Sequence, residues 1–416
     1  MALMSPAVAA PRGAAGLATA RPGRAGQLSR GHLWQVDVVR LLTFGAVIAV
    51  HSLAFTEQPD NVPAAGAMML LQYGREVFFS LTGFVLIYST AGRPLRLGKF
   101  WGKRISYVVV PYVAWSAIYY AYTIWGPAHA QPSLSVFASD LLYGGAEYHL
   151  YFLLVTVQLY LMFPLIRRFA YRTAGRAVPV LAAVTAANLA LLAVLQYVPA
   201  PASGPGLWFF QHAYELLPTY SMYVLAGCYA AVHLERIQRF VDSRGRLLLV
   251  AALASAAAAL GVYALQLPFM APRAANSVLQ PGMALSCVAA LIAVYVVGCR
   301  WAAGPRRHQA LIETLSDASF GVYLAHPFVL QLLLDDAGFA NGHQVMPAVL
   351  CTVLAFVISA TGGTLISLAF RRTPLSLALT GRPWRAEVKR QPSNPGARPV
   401  VSLQPALATA DRRAAC

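Results

Sequence analysis

Ten runs of roughly 20 mostly apolar residues, each long enough to cross about 30 Å of hydrocarbon, dominate this chain of 416 residues. They fall at residues 34–55, 66–89, 105–125, 149–166, 177–198, 207–232, 247–267, 278–299, 318–334 and 346–370. Hydrocarbon offers the backbone no hydrogen-bond partners, so runs of this length are predicted to be helices. The expected fold class is all-α, a polytopic membrane protein with about ten transmembrane helices. Composition agrees: 58% hydrophobic and 11% charged residues lie far from an ordinary soluble domain, where roughly 25% are charged. Five cysteines with no CxxC or Cys/His ligand spacing exclude the common zinc motifs and a disulfide-dense scaffold, and no metal site is expected.

The net charge of +17 could belong to a nucleic-acid binder, but its distribution points elsewhere. Every Lys and Arg except Arg40, Arg75 and Arg273 falls in the N-terminal segment, the even-numbered loops or the C-terminal tail. Cytoplasmic loops collect Lys and Arg, so the alternation predicts both termini in the cytoplasm. The excess charge then reports topology, the lipid bilayer is the first partner, and no nucleic acid is expected. Residues 1–31, rich in Ala, Gly, Pro and Arg, and residues 373–416, a basic Pro/Arg-rich tail, are expected to be disordered ends of a membrane domain over residues 32–372.

Charges inside spans cost roughly 3 kcal/mol each even on a lenient scale, so those present need an interior or wet location. The first span holds Asp37, Arg40 and His51. Eleven residues turn a helix through about three full turns plus 20°, which places Arg40 and His51 on one face about 16 Å apart. The second span carries Arg75 and Glu76, with Glu76, Ser80, Gly83 and Ile87 on one stripe and Gly83 small enough for close helix approach. Glu76 enters at a depth near His51, where a carboxylate would hold the imidazole as a base. Structural readings stand beside these: Arg40 snorkelling to headgroups, His51 packed in a core, Arg75 and Glu76 as an internal ion pair, and Asp37 as a partner for Arg40. His149, His212 and Glu215 lie near outer ends of spans, suited to acceptor binding or to interface anchoring.

The segment from Arg40 to His51 is similar to the Arg-x10-His signature of acyltransferase family 3, the integral membrane acyltransferases that modify sugars and other hydroxyl compounds. Three further stretches carry the resemblance in order: REVFFSLTGFVL at residues 75–86, YHLYFLLVTVQLYLMFPL at 148–165 and SDASFGVYLAHPF at 316–328. The resemblance covers residues 33–370. One place departs from the family pattern: the paired basic residues before Pro111-Tyr112 are here Lys103 and Arg104, and Tyr107 or Val108 stands where the second basic position falls, with Lys99 or Lys103 as substitutes.

The resemblance implies an O-acyltransferase of the cell membrane that moves an acyl group, acetyl or another short chain, from acyl-CoA to a hydroxyl of a carbohydrate or glycosylated acceptor, as in O-acetylation of envelope polysaccharides. Acyl-CoA would be a donor substrate and no tightly bound cofactor is implied. Arg40, Lys103 and Arg104 are the expected donor contacts, His51 the base with Glu76 behind it, and Arg75, His149 and His326 the expected substrate contacts. A multi-span transporter or flippase for a lipid-linked or small polar substrate is the alternative, since polar residues near mid-membrane also suit one.

Overall fold

The computed structural model describes residues 32–336 and 346–384; every regular element among them is a helix. The first helices are α1 (Trp34–Thr56), α2 (Val62–Leu71), α3 (Gly74–Thr90), α4 (Leu97–Trp125) and α5 (Leu134–Tyr143). The middle of the chain forms α6 (Tyr151–Arg172), α7 (Ala177–Tyr197), α8 (Gly204–His212), α9 (Ser221–Val232) and α10 (Leu234–Gln266). The remainder forms α11 (Pro272–Ala275), α12 (Met283–Ala303), α13 (Gln309–Gln331), α14 (Ala348–Phe370) and α15 (Ser376–Thr380).

Seven helical segments among the described residues are long and apolar enough to cross a membrane: α1, α6, α7, α10, α12, α13 and α14. The other three expected runs do not form such helices, for local reasons. Residues 66–89 are divided at Gln72 and Tyr73 between α2 and α3, where Gly74 lies against Val47 and Thr43 of α1. The run at 207–232 is broken by short 3-10 turns at Ala213–Glu215 and Leu217–Tyr220. Pro218 brings no N–H to a helix ladder and disfavours the helical conformation at Leu217. Helix α4 is continuous over 29 residues, but its Tyr and Trp residues lower its mean hydropathy.

The surface fits hydrocarbon. Helix α7 buries only Asn188 and Leu192, and Val178, Leu253 and Val349 are exposed. Apolar helices that turn most of their surface outward need lipid around them. The chain is therefore a multi-pass membrane protein. Helix α1 is the central post and packs on α3, α12, α13 and α14. Helices α3 and α9 cross with their backbones almost touching: a methyl group on Gly227 would overlap the Ser80 carbonyl, and one on Gly83 the Val224 carbonyl. The small residue expected at position 83 thus serves close approach.

Residues 373–384, expected as the start of an unstructured tail, instead hold α15, which packs against α4, α13 and α14. Its Ser376 and Thr380 are buried and hydrogen-bond each other, the Arg382 carbonyl and backbone within the helix, which gives this polar stretch a fixed seat. The expectations for residues 1–31 and 385–416 lie outside the described residues.

Candidate active site

Two cavities meet along α1. The first, of about 250 Å³, is lined by His51, Arg75, Tyr148, His149, Tyr151 and several aromatic and apolar neighbours. The second, of about 620 Å³, lies toward the N-terminal end of α1 and is lined by Arg40, Lys103, Arg104, Asp317, Arg371 and Arg382 among others. The helical register expected for Arg40 and His51 therefore has a structural meaning: one face of α1 runs from a cationic chamber to a histidine chamber.

In the histidine chamber the partner of His51 is His326 of α13. His51 Nδ1 and His326 Nε2 are 2.8 Å apart and their rings lie stacked with centroids 5.1 Å apart. The other nitrogen of His326, Nδ1, lies 3.2 Å from the Val322 carbonyl oxygen. A carbonyl can only accept, so His326 Nδ1 carries its proton and, in the neutral ring, Nε2 has a lone pair. That lone pair accepts from His51 Nδ1–H, and His51 Nε2 is left without a proton. His51 lines the cavity, whereas His326 is fully buried behind it. The Tyr148 ring stands edge-on to His51 at 4.6 Å between centroids and restricts how the imidazole can turn.

Glu76 does not hold His51. It is buried and forms an ion pair with Arg75, whose Nε donates to Glu76 Oε1 at 3.1 Å. Adjacent residues of a helix point about 100° apart, so once Arg75 faces the histidine chamber, Glu76 is turned away from it toward Tyr223 and Met283. The position assigned to a carboxylate is occupied by an imidazole from a helix about 275 residues later in the chain. Arg75 is held from three sides. Besides Glu76, its Nη1 donates to the Tyr151 hydroxyl at 2.7 Å, and its guanidinium lies 5.1 Å from the centre of the Tyr220 ring. Such fixed charge needs no reorganisation when a neighbouring group becomes anionic. His149 lines the same cavity, with its ring 5.9 Å from that of His326.

In the cationic chamber Arg40 Nη1 donates to Ser316 Oγ at 3.0 Å, and Ser316 donates in turn to Asp37 Oδ1 at 2.7 Å. Asp37 also lies 3.7 Å from Arg40, in keeping with its expected pairing. Lys103 and Arg104 line this chamber together with Tyr107 and Val108, the residues at the departing position of the basic pair. Two cations that read in the sequence only as tail charge, Arg371 and Arg382, also line it and both bond Asp317. Gly381 ends α15 with φ of 64°, a left-handed turn natural to glycine, and the chain then delivers Arg382 to the chamber. Five cations facing one carboxylate in a cleft suit a polyphosphate group.

His212 and Glu215 bond each other at 3.0 Å away from both chambers, beside Tyr143 and Trp208. No curated protein and no solved structure matches the chain. A family model described as an acyltransferase domain matches residues 33–371, which takes in the whole lining of the histidine chamber and that of the cationic chamber except α15 and the residues after it, Arg382 among them. Because that match spans most of the sequence, the chain belongs to acyltransferase family 3 and is a membrane O-acyltransferase.

Proposed function

We propose that this enzyme takes a short acyl group from acyl-CoA, held in the cationic chamber, and transfers it to a hydroxyl of a carbohydrate or glycosylated acceptor in the histidine chamber. The observation that carries the reading is the tautomer chain from the Val322 carbonyl through His326 to His51, which leaves a bare Nε2 in a cavity on the same helix face as Arg40. In the reaction, the acceptor oxygen bonds to the thioester carbonyl carbon while His51 Nε2 takes its proton. The carbon–sulfur bond then breaks, and the proton passes to the departing thiolate. Arg75 is the cation nearest to the developing oxyanion, and His149 lines the acceptor's side.

Arg40, Lys103, Arg104, Arg371 and Arg382 serve the phosphates of CoA. The distance of about 16 Å along α1 is then bridged by the pantetheine arm. The gathering of Lys and Arg in the N-terminal segment and in residues 93–104, which precede and include the chamber's Lys103 and Arg104, supports a cytoplasmic position for the cationic chamber, where acyl-CoA is available. This arrangement fits modification of the cell envelope. The test is transfer from radiolabelled acetyl-CoA in native membranes bearing His51→Ala or Arg40→Ala, with the amount of each protein measured. Label transfer should disappear in the first variant and require much more donor in the second; normal transfer by His51→Ala would overturn the assignment.

A further inference from the structure

Between the two chambers stands a wall of four aromatic rings, each from a different helix. Phe44 of α1, Phe78 of α3 and Phe152 of α6 line both cavities, and Tyr323 of α13 lines the histidine chamber. Their contacts close into a circuit: Phe44 to Phe78 at 6.1 Å between centroids, Phe78 to Phe152 at 4.8 Å, Phe152 to Tyr323 at 5.6 Å and Tyr323 back to Phe44 at 6.0 Å. All four separations lie in the range for edge-to-face and offset ring pairs. On two helices the ring stands between the polar groups of the two chambers. Phe44 is about one turn beyond Arg40 and about two turns before His51 on the same face of α1. Tyr323 lies between Ser316 and His326 on α13.

We propose that these rings form a gate through which the acyl end of the donor must pass, and that the gate selects the size of the acyl group delivered to His51. The inference rests on the donor reading given above. The four rings differ in freedom. Tyr323 is buried and its hydroxyl donates to the His149 carbonyl, which fixes one side of the opening. Phe44 and Phe152 are also buried, with 5% and 6% of their surface exposed, whereas Phe78 is only partly buried and lines both cavities. Phe78 is therefore the ring that turns, toward whichever cavity has room. No side chain of the wall apart from the tethered Tyr323 carries a polar group, so the closed gate is dry and separates the thioester from the histidine chamber.

The test uses purified full-length protein in detergent, the substitutions Phe78→Ala, Phe78→Leu and Phe78→Trp, and labelled acyl-CoA donors of two, four, six and eight carbons supplied with native membrane acceptor extract. Apolar sites discriminate by about tenfold or more per methylene. A widened gate should therefore raise transfer of the eight-carbon group relative to acetyl by at least about tenfold in Phe78→Ala, with a smaller rise in Phe78→Leu. Phe78→Trp should lower four-carbon relative to two-carbon transfer. The ratio within each variant is independent of how much protein survives folding, so loss of stability cannot imitate the result. Unchanged chain-length ratios in the variants that still transfer acetyl would overturn the gate while leaving the donor reading intact. If the unsubstituted protein neither binds CoA nor consumes any of the four donors, the donor reading itself fails, and the acyl gate with it.

Discussion

The two chambers solve opposite problems with opposite materials. The cationic chamber keeps its charges apart and answers them with a few oxygens: Ser316 and Asp37 for Arg40, Asp317 for Arg371 and Arg382. It is the larger cavity and retains enough uncompensated positive charge to attract an anion. The histidine chamber is less than half that volume, and its walls are mainly aromatic and aliphatic. Two of its polar groups are held by partners and face the cavity, His51 by His326 and Arg75 by Glu76 and Tyr151. Binding a charged handle calls for surplus charge, whereas proton removal calls for a base with one defined tautomer. A single helix face joins the two without mixing them.

Substitutions at the two ends of α1 should separate these tasks. The largest effect is expected for His51→Ala: general base catalysis contributes about 10² to 10⁴ in rate, so kcat should fall by at least about 100-fold while CoA affinity by titration calorimetry stays the same. Next comes His326→Ala, which removes the acceptor of His51 Nδ1–H and lets the proton move to the catalytic nitrogen. A fall in kcat of roughly 30-fold with an unchanged KM for acyl-CoA is expected, a smaller penalty than losing the base itself. The opposite pattern should follow Arg40→Ala and Arg382→Ala. Each loses a charge-assisted contact worth about 1.5–3 kcal/mol, so KM for acyl-CoA should rise by about tenfold or more at low salt with kcat nearly constant. Should Arg382→Ala lower kcat and spare KM, the division of labour between the chambers is wrong. The smallest effect is expected at Asp317→Asn. Its ion pairs are half exposed, so thermal unfolding should report a change of less than about 1 kcal/mol.

Much of the histidine chamber was legible along single helices and little of it between them. The three-turn spacing places Arg40 and His51 on one face because both lie on the same uninterrupted helix, and the structure keeps that register. Glu76 stands apart from His51 for a related reason. Its depth follows from the sequence, but its direction depends on how α3 is rotated, and Arg75 next to it claims the cavity side. His326 was visible as a candidate in SDASFGVYLAHPF, yet its contact with His51 joins helices from opposite ends of the chain. Arg371 read only as a basic residue at the end of the last run, and Arg382 was hidden by composition, since a Pro/Arg-rich segment gives no sign that Ser376 to Thr380 will form a helix and seat itself on α4. Hydropathy found the long helices but not the breaks at Tyr73 and Pro218, which arise from backbone contact and from a missing N–H.

Four aromatic rings also insulate. In an energised membrane, the voltage falls mainly where water is absent, so two water-filled chambers would concentrate it across the thin layer between them. Moving one elementary charge through the full voltage costs or returns about 2.3 kcal/mol per 100 mV. A proton or a carboxylate crossing between Phe44, Phe78, Phe152 and Tyr323 would feel nearly all of it. A thioester or an ester carries no charge and feels none. A gate of such rings would favour the one form of acyl group whose passage is independent of the electrical state of the cell.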